Sequence, residues 1–214
     1  MRKITAVIEG IAPILFNRFT EEAIDAMEKM SGGKKKTKKD KVVEATTKVY
    51  RDAEGFLCVP SDNVKKCILE GCAMGGYKIG RRSAMPFMRA TLFLEGQTVS
   101  FGKKDPDGHH TTEVFRHDGK TFYHIKEPDG IHECTGRIPP RTGARVVIRR
   151  PYLDTGWTLT LPLIAMDDRI NDEMIQGSIQ EGGLLVGLCD HRPEYGRFKI
   201  NKFEIKEAKV KKAA

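Results

Sequence analysis

Gly182, Gly183, Gly187 and Gly196 share the seventeen residues 182–198 with Arg192 and Arg197. Glycine tolerates positive φ and lets backbone approach a ligand closely, and an exposed guanidinium offers phosphate a planar fork of donors. This composition fits a phosphate-cradling loop, and equally a tight turn whose arginines are solvated. His191, inside the same stretch, is the best single acid–base candidate, because imidazole titrates near neutrality. A lone histidine in a turn is also commonly just a polar residue. No nucleophile, base and orienting acid can be assembled around it, so no catalytic residue is assigned.

Other cations are grouped along the chain. Lys34, Lys35, Lys36, Lys38 and Lys39 crowd a loop at 31–41, where mutual repulsion opposes independent folding. This basic arm reads as a phosphate-binding element or as a solubilising loop. Arg81 and Arg82 form a second cluster with Lys78, and Lys65 lies in the apparent helix before them.

Asp118-Gly119 between two strand-like runs is a hairpin signal. The implied register sets His117 against Lys120, Phe115 against Phe122 and Glu113 against His124, with Arg116 on the opposite face. Aromatic rings beside cations suit single-stranded nucleic acid, since stacking contributes about 1–3 kcal/mol per base without demanding a sequence. The alternative is an ordinary cross-strand aromatic pair packed on the domain.

The histidines at 109, 110, 117, 124 and 132, with Cys134, raise the question of zinc. In that register His117 and His124 are four ladder steps apart, about 13 Å, too far to share one ion. The spacing matches no zinc pattern, and no metal or other cofactor is expected. Five separated cysteines without a C-x-x-C pair make reduced thiols the expectation.

At 214 residues the chain fits one domain, 1–214. Its mean hydropathy of -0.43 fits a soluble globular protein, and no apolar run approaches the ~18 residues that span a membrane. Met1-Arg2-Lys3-Ile4 runs straight into strand-like alternation without a signal peptide's apolar core, so a cytoplasmic location is expected. The net charge of +8 favours a polyanionic partner.

The elements that must hold the loop follow from periodicity. Ile4, Ala6 and Ile8 alternate as a strand. A short helix over 20–30, capped by Thr20, and a weaker one over 40–50 come next. The strand 56–59 leads into a helix that Ser61 can cap, with Val64, Cys67, Ile68, Gly71 and Cys72 on its buried face. A strand over 87–94 follows. The polar, turn-rich segment 97–143 reads as an insertion carrying the hairpin. After a strand at 145–150, Trp157, Leu159, Leu161 and Leu163 mark another, placed near an edge by Pro162. Ile170, Met174, Ile175 and Ile179 mark a helix with Asn171 as cap and Gly182-Gly183 as terminator, and 198–205 forms the last strand. Without the insertions the order is strand, helix, strand, strand, helix, strand: an α+β, ferredoxin-like or RRM-like βαββαβ palm.

Three segments carry a resemblance to the RAMP superfamily, the repeat-associated proteins that form backbone and processing subunits of CRISPR effector complexes. The first strand leading to Ala12-Pro13-Ile14-Leu15 resembles that family's opening strand and turn. Gly55-Phe56-Leu57-Cys58-Val59-Pro60-Ser61-Asp62-Asn63-Val64-Lys65 resembles the segment leading into its first helix, with Pro60 and Lys65 matching. Gly187, Arg192 and Gly196-Arg197-Phe198 resemble its C-terminal glycine-rich loop. The pattern is also similar to small uncharacterised proteins of phages and prophages.

The resemblance implies an RRM-like palm, a hairpin thumb within 97–143, and RNA held along the glycine-rich loop, often in stacked subunits. Members that cut RNA use a loop aspartate; Asp25 and Asp40 are near the corresponding region but match no motif. The expected function is binding of RNA or single-stranded DNA by a homo-oligomer or a subunit of a ribonucleoprotein, with no membrane partner. Lys65, Arg192 and Arg197 would meet phosphate, Gly187 and Gly196 would allow close backbone approach, and Phe115 and Phe122 would interrupt the base stack. The alternatives are a metal-independent endoribonuclease with His191 as base, and a phage structural or assembly protein.

Overall fold

The computed structural model describes residues 1–18, 45–104, 110–117, 120–137 and 145–207; at 104, 110–117, 120–121, 136–137, 145–146 and 207 the description is of the backbone. The main sheet contains β1 (Arg2–Gly10), β3 (Cys58–Pro60), β6 (Leu92–Leu94), β7 (Thr98–Lys104), β8 (His110–His117), β9 (Lys120–Ile125), β12 (Trp157–Ala165) and β13 (Phe198–Glu207). A second sheet joins β2 (Ile14–Leu15), β10 (Gly130–Arg137) and β11 (Arg145–Leu153), and a small hairpin pairs β4 (Lys78–Ile79) with β5 (Arg82–Ser83). The helices are α1 (Ser61–Met74), α2 (Met85–Thr91) and α3 (Asp172–Glu181). The fold is α+β with antiparallel pairing throughout the named strands. No described helix is long and apolar enough to cross a membrane.

The main sheet runs β13-β1-β12-β7-β9-β8, with β6 pairing the other half of β12 and β3 pairing β7. Ile4, Ala6 and Ile8 stand opposite Leu163, Leu161 and Leu159, so period-2 alternation places six apolar side chains on one face. All six are buried in one cluster with Val64 and Ile68 of α1 and Ile175 and Ile179 of α3. Full burial of such side chains contributes roughly 1.5–3 kcal/mol each, which fixes which face of the sheet the helices cover. Arg2 ties the start of β1 to the first turn of α3 through Asp172.

The helices approach backbone to backbone. A Cβ on Gly71 would lie 2.4 Å from the Gly182 nitrogen, and one on Gly182 would lie 2.8 Å from the Cys67 carbonyl oxygen. Cys67 and Cys72 are buried at this contact, and Asn171 caps α3 by accepting a hydrogen bond from the Met174 N–H at 2.8 Å.

Several elements differ from the sequence reading. Gly182-Gly183 does not terminate α3: the chain continues through a five-residue π-helical turn, Gly182–Val186, and leaves it at Gly187 with φ of 79°. The two glycines are there for packing, one against Cys67 and the other against Phe198. Residues 87–94 are not one strand. Pro86 at the start of a helix, the helix formers around it and the buried Met88 make α2, and only Leu92–Leu94 is extended. Ser61 does not cap α1; its hydroxyl donates to the Gly96 carbonyl at 2.8 Å.

Pro162 does not mark an edge either, because β12 is flanked by β1 on one side and by β6 and β7 on the other. A strand residue points its N–H and C=O to the same neighbour. Glu95 N–H donates to the Pro162 carbonyl at 2.8 Å, so the missing proline N–H faces the same side, opposite Glu95, where the pairing of β12 with β6 ends and that with β7 has not begun.

The segment 97–143 also divides differently. β7 hydrogen-bonds to β12, and β9 and β8 prolong the main sheet, whereas β10 joins the second sheet. His117 pairs with Lys120 and Phe115 with Phe122 as the register requires, but irregularities in β8 set Glu113 opposite Tyr123 instead of His124. The basic arm, the 20–30 helix, Asp25, Asp40 and the turn Asp118-Gly119 lie outside the described residues, as do all but the end of the 40–50 helix and the last residues of the chain.

Candidate nucleic-acid interface

The glycine-rich loop is fastened to the N-terminal turn. Gly196 N–H donates to the Pro13 carbonyl at 2.8 Å, Asp190 N–H to the Leu15 carbonyl at 3.1 Å, and Ile11 N–H to the Arg197 carbonyl at 2.9 Å. Leu188 N–H closes the loop on the Gly196 carbonyl at 2.9 Å. Trp157, buried beneath, donates its indole N–H to the Ala12 carbonyl at 2.9 Å. The N-terminal turn and the glycine-rich loop, two of the three stretches singled out in the sequence, are thus one hydrogen-bonded unit.

Gly187 and Gly196 are needed on two counts. Both have positive φ, 79° and 73°, and a Cβ on Gly196 would lie 2.0 Å from the Leu188 carbonyl oxygen. Cys189 and His191 also adopt left-handed φ, 63° and 55°, which costs each residue on the order of 1–2 kcal/mol relative to right-handed backbone. The loop holds this conformation because its backbone groups have fixed partners.

Its side chains diverge in role. Arg197 is exposed, and its guanidinium has no acidic partner among the described residues. Arg192 is exposed but lies 3.3 Å from Glu70 of α1, which Lys66 also approaches at 3.9 Å. Asp190 binds Arg150 of β11 at 2.7 Å, joining the loop to the second sheet. Among the described residues the loop therefore carries one free cation, one weakly held cation, the already neutralised Asp190 and a second, exposed carboxylate, Glu194.

His191 faces β10. Its Nε2 is 4.0 Å from the Cys134 sulfur, its ring meets Tyr195 edge-on at 6.2 Å, and the Tyr195 hydroxyl is 3.5 Å from His132 Nε2. His132 and Cys134 stand two residues apart on one face of β10, which explains how a strand brings both to the loop. Sequence reasoning had both residues in view but could not place β10 beside residue 191. No three His, Cys, Asp or Glu side chains converge on a common point among the described residues.

Cys58, Cys67 and Cys189 are poor nucleophiles. Burial pushes Cys58 up to about 11 and both Cys67 and Cys189 up to about 12, with the Arg192 cation only partly opposing the shift in the latter two.

The remaining candidate residues are dispersed. Lys65 turns toward β6, its Nζ 4.6 Å from the centre of the Phe93 ring, while Glu70 of the same helix reaches Arg192. Arg81 and Arg82 are exposed at the β4–β5 hairpin beyond the other end of α1. Phe122 is only 6% exposed, so in this conformation its ring is not available to bases. The backbones of Phe115 and Arg116 lie in β8, while Lys34, Lys35, Lys36, Lys38 and Lys39 lie outside the described residues.

No protein family model and no curated protein matches this sequence. Among solved structures, the fold is similar to a chain in the cryo-EM structure of the Type III-B Cmr-beta bound to cognate target RNA, with a TM-score of 0.50 and 12% identity over 95% of this chain and 60% of that one. The protein thus spans about three fifths of that chain's length, and at this identity the likeness is one of fold.

Proposed function

We propose that the protein binds single-stranded nucleic acid, RNA foremost, along the glycine-rich loop, as a subunit of a ribonucleoprotein or as a homo-oligomer. The observation that carries this reading is Arg197: an exposed guanidinium without an acidic partner among the described residues, on a loop fastened to the N-terminal turn by backbone hydrogen bonds and closed by Leu188 N–H on the Gly196 carbonyl. A fork held on fixed backbone loses little freedom when phosphate binds. The net charge of +8 supplies long-range attraction to a polyanion.

The fold supports the same reading. The strands β13, β1, β12 and the β6–β7 edge lie side by side, with α1 and α3 sharing a core with them, an order compatible with a ferredoxin-like palm. The neighbouring fold belongs to a chain of an assembly bound to target RNA. With the sequence resemblance, these favour a RAMP-like protein.

Thiouridine-containing single-stranded RNA, photo-crosslinked to the protein and mapped by mass spectrometry, tests the location. Crosslinks should concentrate in peptides covering 182–198 and disappear above moderate salt. Crosslinks confined to the β4–β5 hairpin or the basic arm would move the interface elsewhere.

A second reading draws on the His191, Tyr195 and His132 cluster, which sets two imidazoles and a phenol beside the same loop. In a metal-independent endoribonuclease, His191 would take the proton from a ribose 2′-hydroxyl. Incubation of labelled RNA in chelator decides it: discrete products that vanish in His191→Ala establish cleavage, and intact RNA leaves binding alone.

A further inference from the structure

The π-helical turn that follows α3 exposes two leucines, Leu184 at 40% and Leu185 at 51%. Exposed leucines at a turn usually relax into apolar neighbours. Here they cannot readily withdraw, because Gly182 is packed on Cys67 and Gly183 on Phe198, which fixes the backbone that carries them. Leu185 and Pro193 lie between two open depressions and line both. One, of about 290 Å³, is completed by Leu184, Glu194 and Arg197. The other, of about 480 Å³, includes Glu70, Met74, His191 and Arg192.

The arrangement is an apolar ridge with a depression on each side and an arginine at each depression. Apolar side chains such as Leu and Pro can enter a base step and unstack it, at a cost of a few kcal/mol that flanking phosphate contacts offset. Depressions of this size accommodate a base-sized group, and either arginine can meet the phosphate of the nucleotide beside it. We propose that Leu185 and Pro193 form a wedge that breaks the base stack of a bound single strand, with one nucleotide lodged on the Arg197 side and the next on the Arg192 side. This rests on the loop being the nucleic-acid interface. It adds a residue pair that shapes the ligand and assigns two adjacent nucleotide subsites. Glu194 shares the first depression, and Glu70 and Asp190 in the second are paired with Arg192 and Arg150, so it is the unpaired Arg197 and the protein's net positive charge that favour nucleic acid over a second copy of this equally basic chain as the occupant.

Circular dichroism of a short single-stranded oligoadenylate, whose near-ultraviolet band reports base stacking, tests the wedge without requiring a fixed register. Saturation with the wild-type protein should weaken the band. Leu185→Ala should bind within about fivefold of wild type, because it gives up apolar burial and also avoids the unstacking cost, yet leave the band largely intact. Leu185→Met should restore the effect. If wild type binds and the band is unchanged, or if Leu185→Ala weakens it equally, the wedge is overturned while the binding reading stands. Failure of wild type to bind any single strand overturns both. Conversion of a nucleic-acid-free oligomer to monomer by Leu185→Ala would make the ridge a protein contact and likewise contradict the proposal.

Discussion

The Arg192 guanidinium lies 3.3 Å from the Glu70 carboxylate, so a helix residue 122 positions away holds the first arginine of the glycine-rich loop. Both side chains are substantially exposed, at 30% and 39%, and such pairs contribute little to stability. A phosphate can compete for the arginine, and Glu70 opposes it by charge.

Glu70→Gln should therefore tighten binding to single-stranded RNA, by about two- to fivefold at low salt, the range expected for releasing one exposed pair. Fluorescence anisotropy titrations read this directly. Weaker binding would show that Glu70 orients Arg192 for the ligand instead of restraining it.

Gly71→Ala tests the packing that supports the site. The new Cβ would lie 2.2 Å from the Ser178 carbonyl oxygen, and backbone on both helices would have to move apart. Overpacking of this kind costs roughly 1–3 kcal/mol, and for a chain of this size each kcal/mol lowers Tm by about 2–4 °C. Differential scanning calorimetry should show a clear fall. An unchanged Tm would contradict the close helix contact.

The core of the main sheet was legible in the sequence because its signals are periodic. Alternation in β1 and β12 and the i, i+3, i+4 spacing on α1 and α3 each require only one buried face. Residues 87–94 were misread because a short apolar run satisfies helix and strand alike, and the helix start at Pro86 was not used. Gly182-Gly183 looked like a terminator because glycine serves both helix ends and close packing; only the positions of Cys67 and Phe198 distinguish the two. The pairs at the candidate site, Glu70 with Arg192 and Cys134 with His191, join residues far apart in sequence and left no local signal. Nothing local in the sequence marks Leu184 and Leu185 as exposed; the π-helical turn, held by the packing of Gly182 and Gly183, turns them to the surface.

The thiols give a pH prediction. Folded-state values of about 11 for Cys58 and about 12 for Cys67 and Cys189 lie above the ordinary 9.0, so folding favours the protonated thiols. That contribution is fully present below about pH 9 and declines as pH rises toward the folded-state values. Chemical denaturation between neutral pH and pH 10.5 should show stability falling above pH 9. At pH 8, brief iodoacetamide treatment should modify the half-buried Cys134 first, with the buried Cys58, Cys67 and Cys72 reacting after unfolding. Prompt native modification of Cys67 would contradict its burial.

The basic arm should act on encounter more than on the bound complex. Replacing Lys34, Lys35, Lys36, Lys38, Lys39 and Lys41 with serine should slow association and flatten the salt dependence of binding, by about 0.7 in log–log slope for each phosphate no longer neutralised. Stopped-flow association at several salt concentrations checks this. An unaltered association rate would leave the arm without a part in binding.

Dissociation of single-stranded RNA from Arg197→Ala tests the central claim most directly. The variant removes one exposed cation and leaves intact the backbone bonds that fix the loop. If the loop is the interface, dissociation should accelerate by roughly tenfold or more, as expected for removal of a charge-assisted hydrogen bond of about 1.5–3 kcal/mol, while association changes little. A dissociation rate equal to that of the wild type would contradict the assignment of the glycine-rich loop as the binding site.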